Sequence, residues 1–166
     1  ATVTFAGTMT GNVANTGVFT VDGDSTMAGD FDNEDGGTLT VNEDLTGITT
    51  LTNTGTDSTV TVGSGATLGA TSLVNELTAT LDVNGGTVSG ALDNSATVTF
   101  AGTMTGDVAN TGSFPIDGDS TMAGDFDNED GGTLTVNEDL TGITTLTNTG
   151  AGSTVTVGGG ATLGTT

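Results

Sequence analysis

Eight carboxylates within one short stretch are the side chains best placed to do charged chemistry: Asp22, Asp24, Asp30, Asp32, Glu34, Asp35, Glu43 and Asp44. The same eight recur as Asp117, Asp119, Asp125, Asp127, Glu129, Asp130, Glu138 and Asp139. Carboxylate oxygens can ligate a hard cation such as Ca2+. A pair of them can also cleave a glycosidic bond as acid and base. The bland reading is a solvated acidic stripe that keeps a long molecule soluble. The chain supplies no complement to this charge: its 166 residues include no Lys, Arg, His or Cys, and the formal net charge is −21.

That balance excludes several partners. A phosphate backbone is bound by basic side chains that displace counterions, so no nucleic acid is expected. An anionic membrane surface would repel the chain, and no run approaches the ~18 apolar residues of a spanning segment. Without Cys there is no disulfide, thiolate ligand or thiol nucleophile. No signal-type n-region and h-region opens the chain, so a targeting signal is expected outside these residues. The partners left are cations, neutral glycans, ice, or another copy of the chain.

Asp22 and Asp24 follow Val21 as Asn42, Glu43 and Asp44 follow Val41. If these corners stack, their carboxylates lie about 5 Å apart and repel by about 1 kcal/mol per pair even in water. The candidate Ca2+ ligands are therefore Asp22, Asp24, Glu43 and Asp44, with their counterparts Asp117, Asp119, Glu138 and Asp139. Neither an EF-hand loop nor the Gly-Gly-x-Gly-x-Asp nonapeptide of calcium-binding solenoids is present. No other cofactor is required. Catalysis is not expected, because an active site should be singular and these acids come in duplicate; a carbohydrate-binding or carbohydrate-cleaving helix of strands is the weakest alternative.

The duplication extends far beyond the acids. Residues 1–71 align with residues 96–166, and only eight positions differ: Asn12/Asp107, Val18/Ser113, Thr20/Pro115, Val21/Ile116, Thr56/Ala151, Asp57/Gly152, Ser64/Gly159 and Ala70/Thr165. The chain reads as one array, 1–166, with a first unit at 1–95 and an incomplete second unit at 96–166.

A shorter period lies inside the longer one. Two apolar residues recur as h-x-h at Val3/Phe5, Phe19/Val21, Leu39/Val41, Val60/Val62, Leu81/Val83, Val98/Phe100, Phe114/Ile116, Leu134/Val136 and Val155/Val157. An apolar residue two before an Asn forms a second marker, giving Asn15, Asn33, Asn53, Asn75, Asn94, Asn110, Asn128 and Asn148. Between the markers stands one more apolar residue, the column Met9, Met27, Leu45, Leu68, Val88, Met104, Met122, Leu140 and Leu163. Alternation of this kind marks strands with one buried face. Strands this short cannot bury a face alone, so markers recurring in phase predict an all-β parallel β-helix of about nine turns of 16–22 residues, five to each unit. Each turn should lie about 4.8 Å above the last, giving a rod roughly 40 Å long. Stacked Asn amides can donate and accept along their own column. An antiparallel sandwich or barrel is the competing fold, but its hairpins do not require markers in a constant phase.

The phrases Thr38-Leu39-Thr40-Val41-Asn42-Glu43, Gly36-Gly37-Thr38-Leu39-Thr40-Val41 and Leu51-Thr52-Asn53-Thr54-Gly55 resemble passenger repeats of bacterial autotransporter and haemagglutinin-type adhesins, closest to the self-associating AIDA-type passengers. The resemblance implies a right-handed parallel β-helix, secretion to the bacterial cell surface, and adhesion or aggregation without catalysis. The chain departs from that pattern in its uneven turns and its lack of basic residues. The function expected is that of a structural segment, either an adhesin stalk or a self-assembling extracellular filament or matrix. Self-association is expected end to end or laterally, because an uncapped solenoid offers open strand edges.

An alternative is ice binding by outward Thr rows: Thr2/Thr4, Thr38/Thr40, Thr59/Thr61, Thr97/Thr99, Thr133/Thr135 and Thr154/Thr156. The rows are interrupted by Val18, Asp82 and Ser113-Phe114-Pro115, and uneven turns argue against a flat lattice. Pro115, within a strand, predicts a local irregularity.

Overall fold

A computed structural model describes all residues, Ala1–Thr166. The chain winds as a parallel β-solenoid without helices, its strands joined in a single continuous 18-stranded sheet. Three strand columns run along the axis. The first holds the h-x-h segments in nine rungs, from Thr2–Phe5 to Thr154–Val157, each partner in register with the next. The third holds the Asn segments in eight rungs, from Val13–Asn15 to Leu146–Asn148, also in register. The winding is thus eight complete turns with a ninth begun, slightly short of the nine expected.

The reason for stacking is visible in burial. Most strands of the first column read Thr-h-Thr-h, and in the interior turns their apolar residues are buried while the alternate positions stay at least partly exposed. A 31-residue apolar cluster fills the interior from Phe19 to Ile143. Three Phe side chains of each unit pack together: Phe19 meets Phe5 at 5.8 Å and Phe31 edge-on at 5.2 Å, and Phe114 meets Phe100 and Phe126 at 5.7 and 5.2 Å. Tilted and edge-on pairs of this kind add to area burial.

The second column corrects the sequence reading. Met9 pairs with Met27, but Leu45 pairs with Ser25, two residues before Met27. Leu140 likewise pairs with Ser120 rather than Met122. The third column fixes this phase, since Phe31 pairs with Leu51 and both lie six residues beyond Ser25 and Leu45. Ile48 and Ile143 then enter the core, and both are buried. Ser25 and Ser120 are buried too, each hydroxyl accepting from the previous turn's glycine N–H at 3.1 Å and donating to the carbonyl two residues earlier at 2.7 Å. A buried hydroxyl satisfied on both sides costs little.

Uneven turn lengths are absorbed at corners. Between the Asn column and the next first-column strand the chain uses two residues at Thr16-Gly17, four at Glu34–Gly37 and five at Thr54–Ser58. Pro115 causes no bulge. Ser113 N–H donates to Ala96 O at 2.8 Å and Asp117 N–H to Phe100 O at 2.9 Å. Pro115 lies between them and has no donor, so its strand keeps full register with Thr133–Val136 while pairing with the preceding rung only at Ser113 and Ile116.

Candidate functional site

Three features are candidates: the acidic corners, the Asn column and the Thr face. At the acidic corners, carboxylates do not simply oppose one another. Asn42 Nδ2 donates to Asp22 Oδ1 at 2.7 Å, and Asn137 does the same for Asp117. Asp44 Oδ1 accepts from Thr67 N–H at 2.9 Å and Asp139 Oδ1 from Thr162 N–H at 2.7 Å. Asp24 and Glu43, with Asp119 and Glu138, are exposed and carry no side-chain hydrogen bond. No three acidic side chains converge into one cluster. At Asp22 and Asp44 one carboxylate oxygen thus accepts from an amide or a backbone donor, which offsets part of the repulsion between stacked corners.

A consequence is measurable by thermal melting. Stability should rise with ionic strength, because screening weakens the self-repulsion of a chain carrying −21. Ca2+ and Mg2+ at equal ionic strength should shift the midpoint equally. A rise specific to Ca2+, reversed by EDTA, would place a true site at these corners.

One unit-to-unit difference leaves a trace in the hydrogen bonding. In the first unit Asn12 donates to Asp30 Oδ2 at 3.3 Å and accepts from Asp30 N–H at 3.0 Å. In the second, Asp107 accepts from Asp125 N–H at 2.9 Å but, as a carboxylate, has nothing to donate. Asp125 Oδ1 is left as the one buried side-chain oxygen without a partner. Asp107→Asn restores the first unit's pair and should stabilise the chain by about 1 kcal/mol in urea unfolding; no gain would mean that water serves the orphan oxygen equally well.

The Asn column is continuous. Each Nδ2 donates to the next Oδ1 along Asn15, Asn33, Asn53, Asn75, Asn94, Asn110, Asn128 and Asn148 at 2.7–2.8 Å. The second amide hydrogen goes to backbone carbonyls, as from Asn53 to Thr80 O and from Asn75 to Thr97 O, both at 2.8 Å. All but Asn148 are buried. The amides point the same way, so the column has a donor end and an acceptor end.

The Thr face is the outer side of the first column. Its positions run Thr2, Val18, Thr38, Thr59, Thr80, Thr97, Ser113, Thr133, Thr154 beside Thr4, Thr20, Thr40, Thr61, Asp82, Thr99, Pro115, Thr135, Thr156. Within these nine rungs no register shift falls in the first column; the shifts lie at or beyond its corners. Uneven turns therefore leave the pairing of this face in register, although Val18, Asp82, Ser113 and Pro115 interrupt its Thr rows. Elsewhere the surface has two open concavities. One, of about 310 Å³, is lined by Thr, Gly, Ser, Ile48 and Ala70; the other, of about 200 Å³, lies beside Asp93, Asp107 and Asp127.

Comparison with known proteins adds no relative: no family model matches the chain, and neither a curated protein nor a solved structure is significantly similar to it.

Proposed function

We propose that this chain is a non-catalytic structural segment of a secreted bacterial surface protein, serving as a rigid stalk or as the body of an extracellular filament. The observation that carries the reading is the unbroken register of the first and third columns over the whole chain. A solenoid held this way transmits length and stiffness, and each added turn needs only its neighbours. The duplicated acids fit a surface charge that recurs in bands along a rod and keeps it soluble. Secretion and the cell surface rest on the resemblance to adhesin passengers.

Tandem copies of residues 1–95 test the reading by small-angle scattering. Each further unit should lengthen the particle by about 24 Å, five rungs, at constant cross-section. Units that add mass without that fixed increment would sink it.

The in-register Thr face supports a second reading, recognition of an ordered lattice such as ice. Hydroxyls there repeat at about 4.8 Å along the axis and about 6.6–6.8 Å along each strand. The purified chain should then shape growing ice crystals, and Thr40→Lys with Thr61→Lys should abolish the shaping. Crystals growing as they do in buffer would remove this reading.

A further inference from the structure

The first residue after each first-column strand stacks on its counterpart in the next rung. Through the middle of the chain this corner position runs Asp22, Asn42, Gly63, Asn84, Ala101, Asp117. Asn42 is engaged, its amide holding the Asp22 carboxylate at 2.7 Å, and Asn137 holds Asp117 in the same way. Asn84 stands between Gly63 and Ala101, which offer its amide no polar side chain. It is exposed and makes no side-chain hydrogen bond, whereas the other eleven Asn of the chain each make at least one.

Asn84 is also the only Asn followed by Gly. Thr, Glu, Val or Ser follows each of the others, and a side chain there crowds the peptide nitrogen. Gly85 has none, and its φ of +79° lies in the left-handed region that Gly enters without strain. The free amide and the uncrowded nitrogen therefore meet at one place, in the segment 72–95 that has no second copy.

We infer that Asn84 is a site of spontaneous modification, its amide exchanged for a carboxylate through a succinimide formed with Gly85. This goes beyond the structural role proposed above and does not depend on it. The Gly85 backbone nitrogen gives its proton to hydroxide and attacks Asn84 Cγ. The new N–Cγ bond forms, the Cγ–Nδ2 bond breaks, and the amide nitrogen leaves as ammonia after taking a proton from water. Water then opens the ring at either carbonyl, giving an aspartyl or an isoaspartyl residue. The net change converts an amide and a water into a carboxylic acid and ammonia, with nothing oxidised or reduced. The acid ionises, adding one negative charge to the −21 of the chain.

The fold accepts the product at this corner. Pairing with the next turn already shifts between Asn84 and Thr87, so an isoaspartyl link, longer by one backbone carbon, falls where the register is already broken. The Asn column is the opposite case. Asn53 Nδ2 donates to Asn75 Oδ1 at 2.8 Å, and a carboxylate there would set acceptor against acceptor in a buried site.

Ageing the folded chain at mildly alkaline pH and mapping it by mass spectrometry tests the site. Cleavage before Asp82 and Asp93 releases residues 82–92, in which Asn84 is the only Asn. The isoaspartyl product should appear as this fragment, heavier by the difference between an amide and an acid. The aspartyl product should add a cleavage before position 84. Conversion should quicken with hydroxide concentration and outpace every other Asn by about tenfold or more, because each of those must first break a side-chain hydrogen bond. Asn84→Gln, whose ring would need another member, should keep a single charge state on anion exchange. The same chain unfolded in urea serves as the clock. A folded chain that retains the Asn84 amide after the unfolded one has lost it overturns the proposal, and so does equal conversion at the other Asn of the folded chain.

Discussion

Asn53→Leu should destabilise the chain by about 2–6 kcal/mol, whereas the same change at its counterpart Asn148 should cost about 1 kcal/mol. The two residues share their local sequence, Leu-Thr-Asn-Thr-Gly, so propensity and side-chain volume cancel in the comparison. Their surroundings differ. Asn53 is 1% exposed, accepts from Asn33 at 2.8 Å, and donates to Asn75 Oδ1 and Thr80 O at 2.8 Å each. Leu at this site strands the buried Asn75 Oδ1 and the part-buried Thr80 O, each at about 1–3 kcal/mol, while Asn33 Nδ2 keeps its bonds to Gly37 O and Thr59 O. Asn148 is exposed, accepts from Asn128, and donates weakly to Ser153 O. Water can replace what it loses. Against a typical domain stability of about 5–15 kcal/mol, the first variant approaches the limit of folding. Urea unfolding followed by circular dichroism gives both numbers, and equal losses would mean that the column is no more than a set of local turns.

Gly90→Ala should cost about 2–5 kcal/mol through a different term, the close approach of successive turns. Gly90 has φ +117°, and a Cβ there would overlap the Ala70 carbonyl oxygen of the turn before. The left-handed backbone region penalises any side chain by about 1–2 kcal/mol, and forcing atoms into a packed interior adds about 1–3 kcal/mol. Gly65 separates the two contributions. Its φ is +82°, yet a Cβ would meet open space, so Gly65→Ala should show the backbone term alone, about 1–2 kcal/mol. A Gly90 variant no worse than the Gly65 variant would mean that the turns can part there without losing their pairing.

The first and third columns were legible in the sequence because their markers recur in constant phase. A strand with one buried face has a period of two, and the segments Thr38–Val41, Thr59–Val62 and Thr133–Val136 display it without exception. The second column was misread for a reason inherent in that period. Ser25 and Met27 are two residues apart and point to the same side, so apolar character favours Met27 while geometry selects Ser25. Counting back six residues from Phe31 and from Leu51 would have found the register. It would also have found Ile48, which the column of single apolar residues left out.

The acidic corners were half legible. Placing Asp22 against Asn42 follows from the same counting, and the structure joins them by a hydrogen bond. The bond from Thr67 N–H to Asp44 does not follow, because it crosses to a later turn through a corner whose length no marker fixes. Asp107 was visible as a substitution for Asn12, but its effect was not. The stranded oxygen belongs to Asp125, eighteen residues away, and appears only when the rungs are stacked.

The stacking itself is open to direct measurement. The chain has no Cys, so pairs introduced on the outer Thr face carry spin labels without interference. From Thr4 to Thr99, Thr135 and Thr156 there are five, seven and eight rungs. Electron–electron distances should centre near 24, 34 and 38 Å, a constant step of about 4.8 Å per rung however many residues the intervening turns contain. Distances that fail to rise in step with rung number would contradict the parallel solenoid, and with it the rod and the Asn column.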